Sequence, residues 1–222
     1  MKKVLLTGFD AFGTTSVNPA GSVARKLDGL TINGATIISK IVPAVFFKSI
    51  DFVKAAIADI QPDIVIMLGE YGGRATITVE RLANNFNDST RYQLVDNDGC
   101  SVQDRPTIPE GPVGYYTTLP IRAMVKAMRE AGIPANISDT PGTFVCNHLM
   151  YGILHHIKTA DLNIRAGWIH LPHLPEVAAL ECNLGAPSMS VETSVAGLTT
   201  SIEAILENED DIHDPIRSPW QI

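Results

Sequence analysis

A chain of 222 residues, 45% hydrophobic and 18% charged, holds enough apolar material for one core and too little polar monotony for disorder outside its C-terminus. Its net charge of −7 and the lack of a Lys/Arg cluster argue against a nucleic-acid partner. No run is long enough to span a bilayer, and Cys100, Cys146 and Cys182 have no disulfide-framework spacing, so a soluble protein in the reducing cytoplasm is expected.

The N-terminal apolar run stops at Thr7-Gly8 with Asp10 close behind, too short for a secretory signal. Residues 4–9 predict a buried strand. Asn18 as a cap and Pro19 at the first helical position then open a helix to about Leu27. A second strand is expected over 36–42, and a helix over 46–60 closed by Pro62. Ile64, Val65, Ile66 and Met67 form a continuous apolar run of the kind buried on both faces of a sheet. Over 76–82 a further strand places Thr76, Thr78 and Glu80 on one face and Ile77, Val79 and Arg81 on the other.

Residues 99–116, rich in proline and glycine, predict a long irregular segment, a candidate lid or subunit contact. A helix over 120–131 follows, stopped by Gly132 and Pro134. Next come a strand at Ala135–Ser138, a helix over 146–158, a strand at Arg165–Leu171, and a last helix over 190–207 capped by Ser190. Residues 208–222 form an acidic tail expected to be mobile. With no internal repeat and no dividing linker, the order implies a single α/β domain over 1–222, three αβα layers around a mostly parallel or mixed sheet. Ligands in such folds sit outside the carboxyl ends of strands. Phe9, Glu70, Cys146 and His170 all fall at such places.

The run Asp139-Thr140-Pro141-Gly142-Thr143-Phe144-Val145-Cys146-Asn147-His148 ends a loop on a cysteine where a helical pattern begins. Helix N-terminal N–H groups there favour a thiolate over a thiol, and a thiolate with a histidine base and an orienting residue makes a nucleophilic hydrolase. The plain alternative is one more buried small hydrophobe. His148 is close in sequence to the sulfur, His155 and His156 lie toward the far end of the helix, and His213 is in the acidic tail. His170 and His173 end an apolar strand on the ligand edge, where His170 is either a base or a core histidine.

Glu80 is placed to orient an imidazole, or else to pair at the surface with Arg81 or Arg91. Cys146, His148, His170 and His173 lack a zinc-site spacing, so no metal is expected. The glycines of Gly69-Glu70-Tyr71-Gly72-Gly73-Arg74 lack the spacing of a nucleotide loop.

Three segments together resemble the pyroglutamyl peptidase I family of cysteine peptidases. They are Gly69-x-x-Gly72 running to Ile77-Thr78-Val79-Glu80-Arg81-Leu82-Ala83, then Gly142-Thr143-Phe144-Val145-Cys146-Asn147-His148, and Gly167-Trp168-Ile169-His170-Leu171-Pro172. Thr7-Gly8-Phe9-Asp10-x-Phe12-Gly13 and Ala186-Pro187-Ser188-Met189-Ser190 match as well, so the resemblance covers nearly the whole chain.

The resemblance implies that Cys146 is the nucleophile, His170 the general base and Glu80 its orienting acid. It implies a pocket of Phe9, Phe12, Phe144 and Val145 bordered by Glu70, with Arg91 at the oxyanion region. It also implies removal of N-terminal pyroglutamate from peptides through a thioester, with no metal or organic cofactor, by a homo-oligomer (dimer or tetramer). Alkylation is then expected at Cys146 first. Glu70 stands where many members have glutamine, Tyr71 replaces a small residue, Ala44 a common threonine and Pro141 a usual alanine, and these departures bear on substrate preference. Main-chain groups of residues 69–71 are expected to bind the lactam, with Glu70 turned to solvent or to a basic neighbour. The other readings are a non-catalytic relative that binds blocked N-termini, and a phosphate-dependent nucleoside enzyme on a related fold.

Overall fold

The computed structural model describes residues 1–13 and 15–219. Along the chain run β1 (Lys3–Phe9), α1 (Pro19–Leu27), β2 (Thr31–Ile32), β3 (Ala35–Val42), α2 (Lys48–Ile60), β4 (Ile64–Glu70), β5 (Ile77–Glu80) and β6 (Leu82–Asn84). They are followed by β7 (Gly114–Tyr116), α3 (Ile121–Glu130), β8 (Ala135–Ser138), α4 (Val145–Thr159), β9 (Arg165–Leu171), α5 (Pro175–Ala178) and α6 (Val191–Glu207).

Successive side chains of a strand point to opposite faces, and this alternation builds two cores. Val4 and Leu6 of β1, with Ile64, Ile66 and Leu68 of β4, pack against α1, α3 and α6. Leu5, Phe9, Val65 and Met67 face α2 and α4 on the other side. The strands between the two helical layers lie in the order β2-β3-β1-β4-β9-β5-β8. Four of them, β3, β1, β4 and β9, are parallel neighbours, whereas β5 runs antiparallel to β9 and parallel to β8. The domain is therefore three-layered around a mixed sheet. Among the described residues no helix is long and apolar enough to cross a membrane.

Several local expectations shift. The strand foreseen over 76–82 breaks at Arg81, whose N–H binds Ser138 O; β6 then leaves the sheet to pair with β7, which lies inside the segment expected to be irregular. Helix α2 ends on Gln61, left-handed at φ 51°, one residue before Pro62. The two-residue β2 and four-residue α5 are too short to leave a period in the sequence. The acidic tail has a partner. Asp211 accepts from Arg122 N and Ala123 N in the first turn of α3, where unpaired N–H groups need acceptors, and Asp214 pairs with Lys126 at 2.9 Å. The last three residues of that tail lie outside the described residues.

Candidate active site

His170 is the penultimate residue of β9, in register with Gly69 of β4 on one side and Thr78 of β5 on the other. Directly paired residues project to one face, and Glu80, two positions beyond Thr78, shares it. Glu80 Oε1 lies 2.8 Å from His170 Nδ1, and both side chains are buried. With Nδ1–H given to the carboxylate, Nε2 carries the lone pair, and it is buried without a hydrogen-bond partner among the described residues. Cys146, second residue of α4, is half-buried. Its Sγ and His170 Cδ2 each lie 3.1 Å from the point where a Cβ on Gly69 would fall, with Trp168 closer still at 2.6 Å. A side chain at 69 would occupy the space that brings sulfur and imidazole together, so the position requires glycine.

One expectation of topology changes here. Cys146 does not follow a strand parallel to β9. It follows β8, which runs the other way, and the 139–144 loop carries the chain back to α4. Gly142, at φ 87°, makes the turn that a side chain would strain. The residues after the cysteine then anchor the helix. Asn147 accepts from Asn84 N at 2.8 Å and donates to Asn84 O and Phe86 O at 2.9 Å. His148, considered above as a partner for the sulfur, instead accepts from Phe47 N through Nε2 at 2.9 Å, so its Nδ1–H faces Thr107 Oγ1 at 3.1 Å. Phe47 needs that support, because φ 62° is an outlier for so bulky a residue.

Burial first, and Arg105 second, push the His148 pKa down from 6.5 to about 4. The unfolded chain therefore takes up a proton in this window that the folded chain refuses. Stability falls by about 3 kcal/mol as pH drops from the ordinary imidazole value toward the depressed one. In the His148→Gln variant the slope of Tm against pH between 6.5 and 4 should flatten; an unchanged slope would remove His148 as its source.

Electrostatics alter the expected state of the nucleophile. Burial and the nearby Glu80 charge push the Cys146 thiol above its ordinary value, with Glu70 adding to the rise; its own N–H and Arg74 oppose it. Burial also lowers the His170 pKa, against the pull of Glu80. Burial thus works against both the imidazolium and the thiolate that the helix terminus alone favours.

Arginine placement also differs from the sequence reading. Arg74 Nη1, at 2.7 Å, is the ion-pair partner of buried Glu80. Arg81 pairs with Asp139 at 3.2 Å. Arg91 is exposed, its guanidinium 4.9 Å from the Tyr92 ring centre, and the pocket wall there is made by Tyr92 and Leu94. Arg91 itself does not line the cavity in this arrangement. In sequence Arg74 ends the glycine loop, where it is a candidate partner for Glu70 rather than for Glu80.

The cavity beside Cys146 and His170 measures about 310 Å³ and is walled by Phe9, Phe12, Ala44, Phe144 and Val145, with Glu70 and Tyr71 on its border. Phe12 and Phe46 pack against Phe144 at 5.3 and 5.4 Å between ring centres. Glu70 is paired with His173 Nδ1 at 2.6 Å rather than with Arg74, and burial raises its pKa despite that partner. Gly72 carries the His173 ring across its backbone, where a Cβ would fall 2.0 Å from Nε2. Among the described residues no group of three or more His, Cys, Asp or Glu is arranged to hold a metal ion.

Known proteins have similar chains. A family model described as pyroglutamyl peptidase matches residues 2–208. The chain belongs to this family. It is 60% identical over 222 residues to a pyrrolidone-carboxylate peptidase of Mycobacterium bovis, covering all of both chains. It is 48% identical over 212 residues to that of Bacillus cytotoxicus, covering 96% of each. The crystal structure of Bacillus amyloliquefaciens pyroglutamyl peptidase I superposes with a TM-score of 0.91 at 41% identity, covering 96% of this chain and all of that one. The family and the α/β fold expected from the three segments are both borne out, and the pyroglutamyl peptidase family is one of cysteine peptidases.

Proposed function

We propose that this chain is a cysteine exopeptidase that removes N-terminal pyroglutamate from peptides, with Cys146 as nucleophile, His170 as general base and Glu80 as its orienting acid. One observation carries the assignment of roles: Cys146 Sγ and a Glu80-bound imidazole with a free Nε2 press against the same glycine at the edge of an apolar cavity.

Burial disfavours a charged thiolate–imidazolium pair, and this orders the events. Cys146 Sγ gives its proton to His170 Nε2 as it attacks the carbonyl carbon joining pyroglutamate to the next residue. The tetrahedral intermediate collapses by breaking the C–N bond while His170 returns the proton to the leaving amine. A water then yields a proton to His170 and attacks the thioester, which releases pyroglutamate and restores the thiol. N–H groups in the first turn of α4 have no intrahelical acceptor and serve the oxyanion, a contribution of about 10²–10³ in rate per donor. The cavity suits an uncharged lactam, because burying an ammonium among Phe9, Phe12 and Phe144 would cost far more.

For the lactam's polar groups, the β4–β1 register ends at Gly8↔Leu68 while β4–β9 runs on to Glu70↔Leu171. Gly69 and Glu70 are left without a β1 register partner, and they supply main-chain recognition in this reading. Tyr71 N is already engaged by Leu171 O at 2.9 Å, which narrows the expected binding stretch. Glu70, held by His173, is then not a direct reader of substrate. Glu70→Gln should change kcat/KM on a pyroglutamyl amide by less than about tenfold; a loss of a hundredfold or more would mean that the carboxyl group itself contacts the lactam.

The reading is tested with a pyroglutamyl chromogenic amide beside glutaminyl and glutamyl amides. Cleavage of the first alone is expected, without added phosphate or metal; preference for either of the others would overturn it. Binding of blocked N-termini without cleavage and phosphate-dependent turnover are not supported by the family match. Assembly as a dimer or tetramer belongs to the same reading, with exposed Val113 and Tyr116 of the 99–116 segment as the apolar contact surface. A cytoplasmic setting is supported by three cysteines that are all unpaired.

A further inference from the structure

Arg74 has no part in the steps above, yet it makes the shortest contact to the orienting acid. Its Nη1 carries two protons and uses both, donating to Glu80 Oε1 and to Thr78 Oγ1, each at 2.7 Å. We propose that Arg74 is a positioning residue that holds Glu80 in place against His170, and so sets the proton affinity of the imidazole. This rests on the peptidase reading for its meaning in catalysis, though not for its geometry.

Glu80 is fully buried, and a carboxylate there needs the charge and hydrogen bonds that the arginine supplies. Its contacts all fall on one oxygen. Oε1 meets Arg74, His170 at 2.8 Å and Thr78 at 3.4 Å, while Oε2 has no hydrogen-bond partner among the described residues. The direction of the carboxylate is therefore set by the arginine and the imidazole pulling on the same atom. The same guanidinium lies 3.8 Å from the centre of the Tyr71 ring, and that ring meets His170 edge-on at 5.4 Å. One arginine thus supports the imidazole from two sides, through Glu80 and through Tyr71.

The titratable and charged groups facing His170 are Glu80, Arg74, Cys146 and Tyr71, with the Glu70–His173 pair on the adjoining end of β4. Of these, Glu80 favours the imidazolium and Arg74 opposes it. Removing the arginine's charge therefore makes proton uptake by the Glu80–His170 pair easier, and removing the carboxylate's makes it harder.

The experiment compares wild type, Arg74→Met and Arg74→Lys by two readouts: the acid limb of kcat/KM on a pyroglutamyl amide, and the His170 imidazole titration followed by NMR, which needs no turnover. Arg74→Met should lower kcat about 10²-fold with KM nearly unchanged, and raise both the acid limb and the NMR midpoint by about one pH unit. Arg74→Lys should restore the midpoint and part of kcat. Arg81→Met, at a surface ion pair, should leave both readouts unchanged. If Arg74→Met does not fold, Arg74→Gln, which keeps a donor but no charge, gives the same comparison. A wild-type midpoint in a folded, charge-free variant overturns the proposal. An NMR shift in an enzyme that cleaves no pyroglutamyl amide overturns the peptidase reading and leaves the role of Arg74 standing.

Discussion

Cys146→Ser lowers kcat/KM on a pyroglutamyl amide by about 10³-fold or more, because a hydroxyl beside the same imidazole is a far weaker nucleophile. Cys100→Ser and Cys182→Ser leave activity near wild type, since both thiols are exposed and neither lines the cavity. A raised thiol gives a different order of alkylation from modification of Cys146 first. Its thiol is held up by burial and by Glu80, and small neutral reagents react through the thiolate. Iodoacetamide at neutral pH should therefore label the exposed Cys100 and Cys182 ahead of Cys146. A pyroglutamyl chloromethyl ketone, placed by the pocket, should label Cys146 alone and abolish turnover. Equal loss of activity in Cys100→Ser or Cys182→Ser would sink the assignment.

Glu80→Gln lowers kcat by about 10²–10⁴, the range for disturbing a general acid–base unit. The amide can still accept from His170 Nδ1, but it no longer stabilises the imidazolium, and it leaves Arg74 without its counter-charge. The pH dependence fixes the sign. In wild type, kcat/KM declines as pH falls through the His170 pKa, because a protonated imidazole cannot take the thiol proton. Burial places that limb below the ordinary 6.5. Glu80 is the group that raises it, so Glu80→Gln moves the limb further down, opposite to the shift expected for Arg74→Met. A variant with lowered Tm but normal kcat would make Glu80 structural and end its catalytic assignment.

Much of this protein was legible in the sequence because the signals are local. Continuous apolar runs and caps such as Asn18 and Ser190 depend on neighbours a few residues away, and the predicted elements at Ala135–Ser138 and Arg165–Leu171 appear with the same bounds in the fold. The alternation of Thr78 and Glu80 likewise put both on one face before any partner strand was known. What the sequence could not carry was long-range. The reversed direction of β5 and β8 relative to β9 is set by pairing across the sheet, and no local pattern encodes strand direction. Partner choice among charges has the same origin. Arg81 is the nearest arginine to Glu80 by chain position, but the turn at Gly72-Gly73 brings Arg74 to it, and burial makes that contact necessary. The state of the sulfur was decided last of all. A helix terminus alone favours a thiolate, whereas burial against the packed sheet and a carboxylate nearby push the thiol the other way.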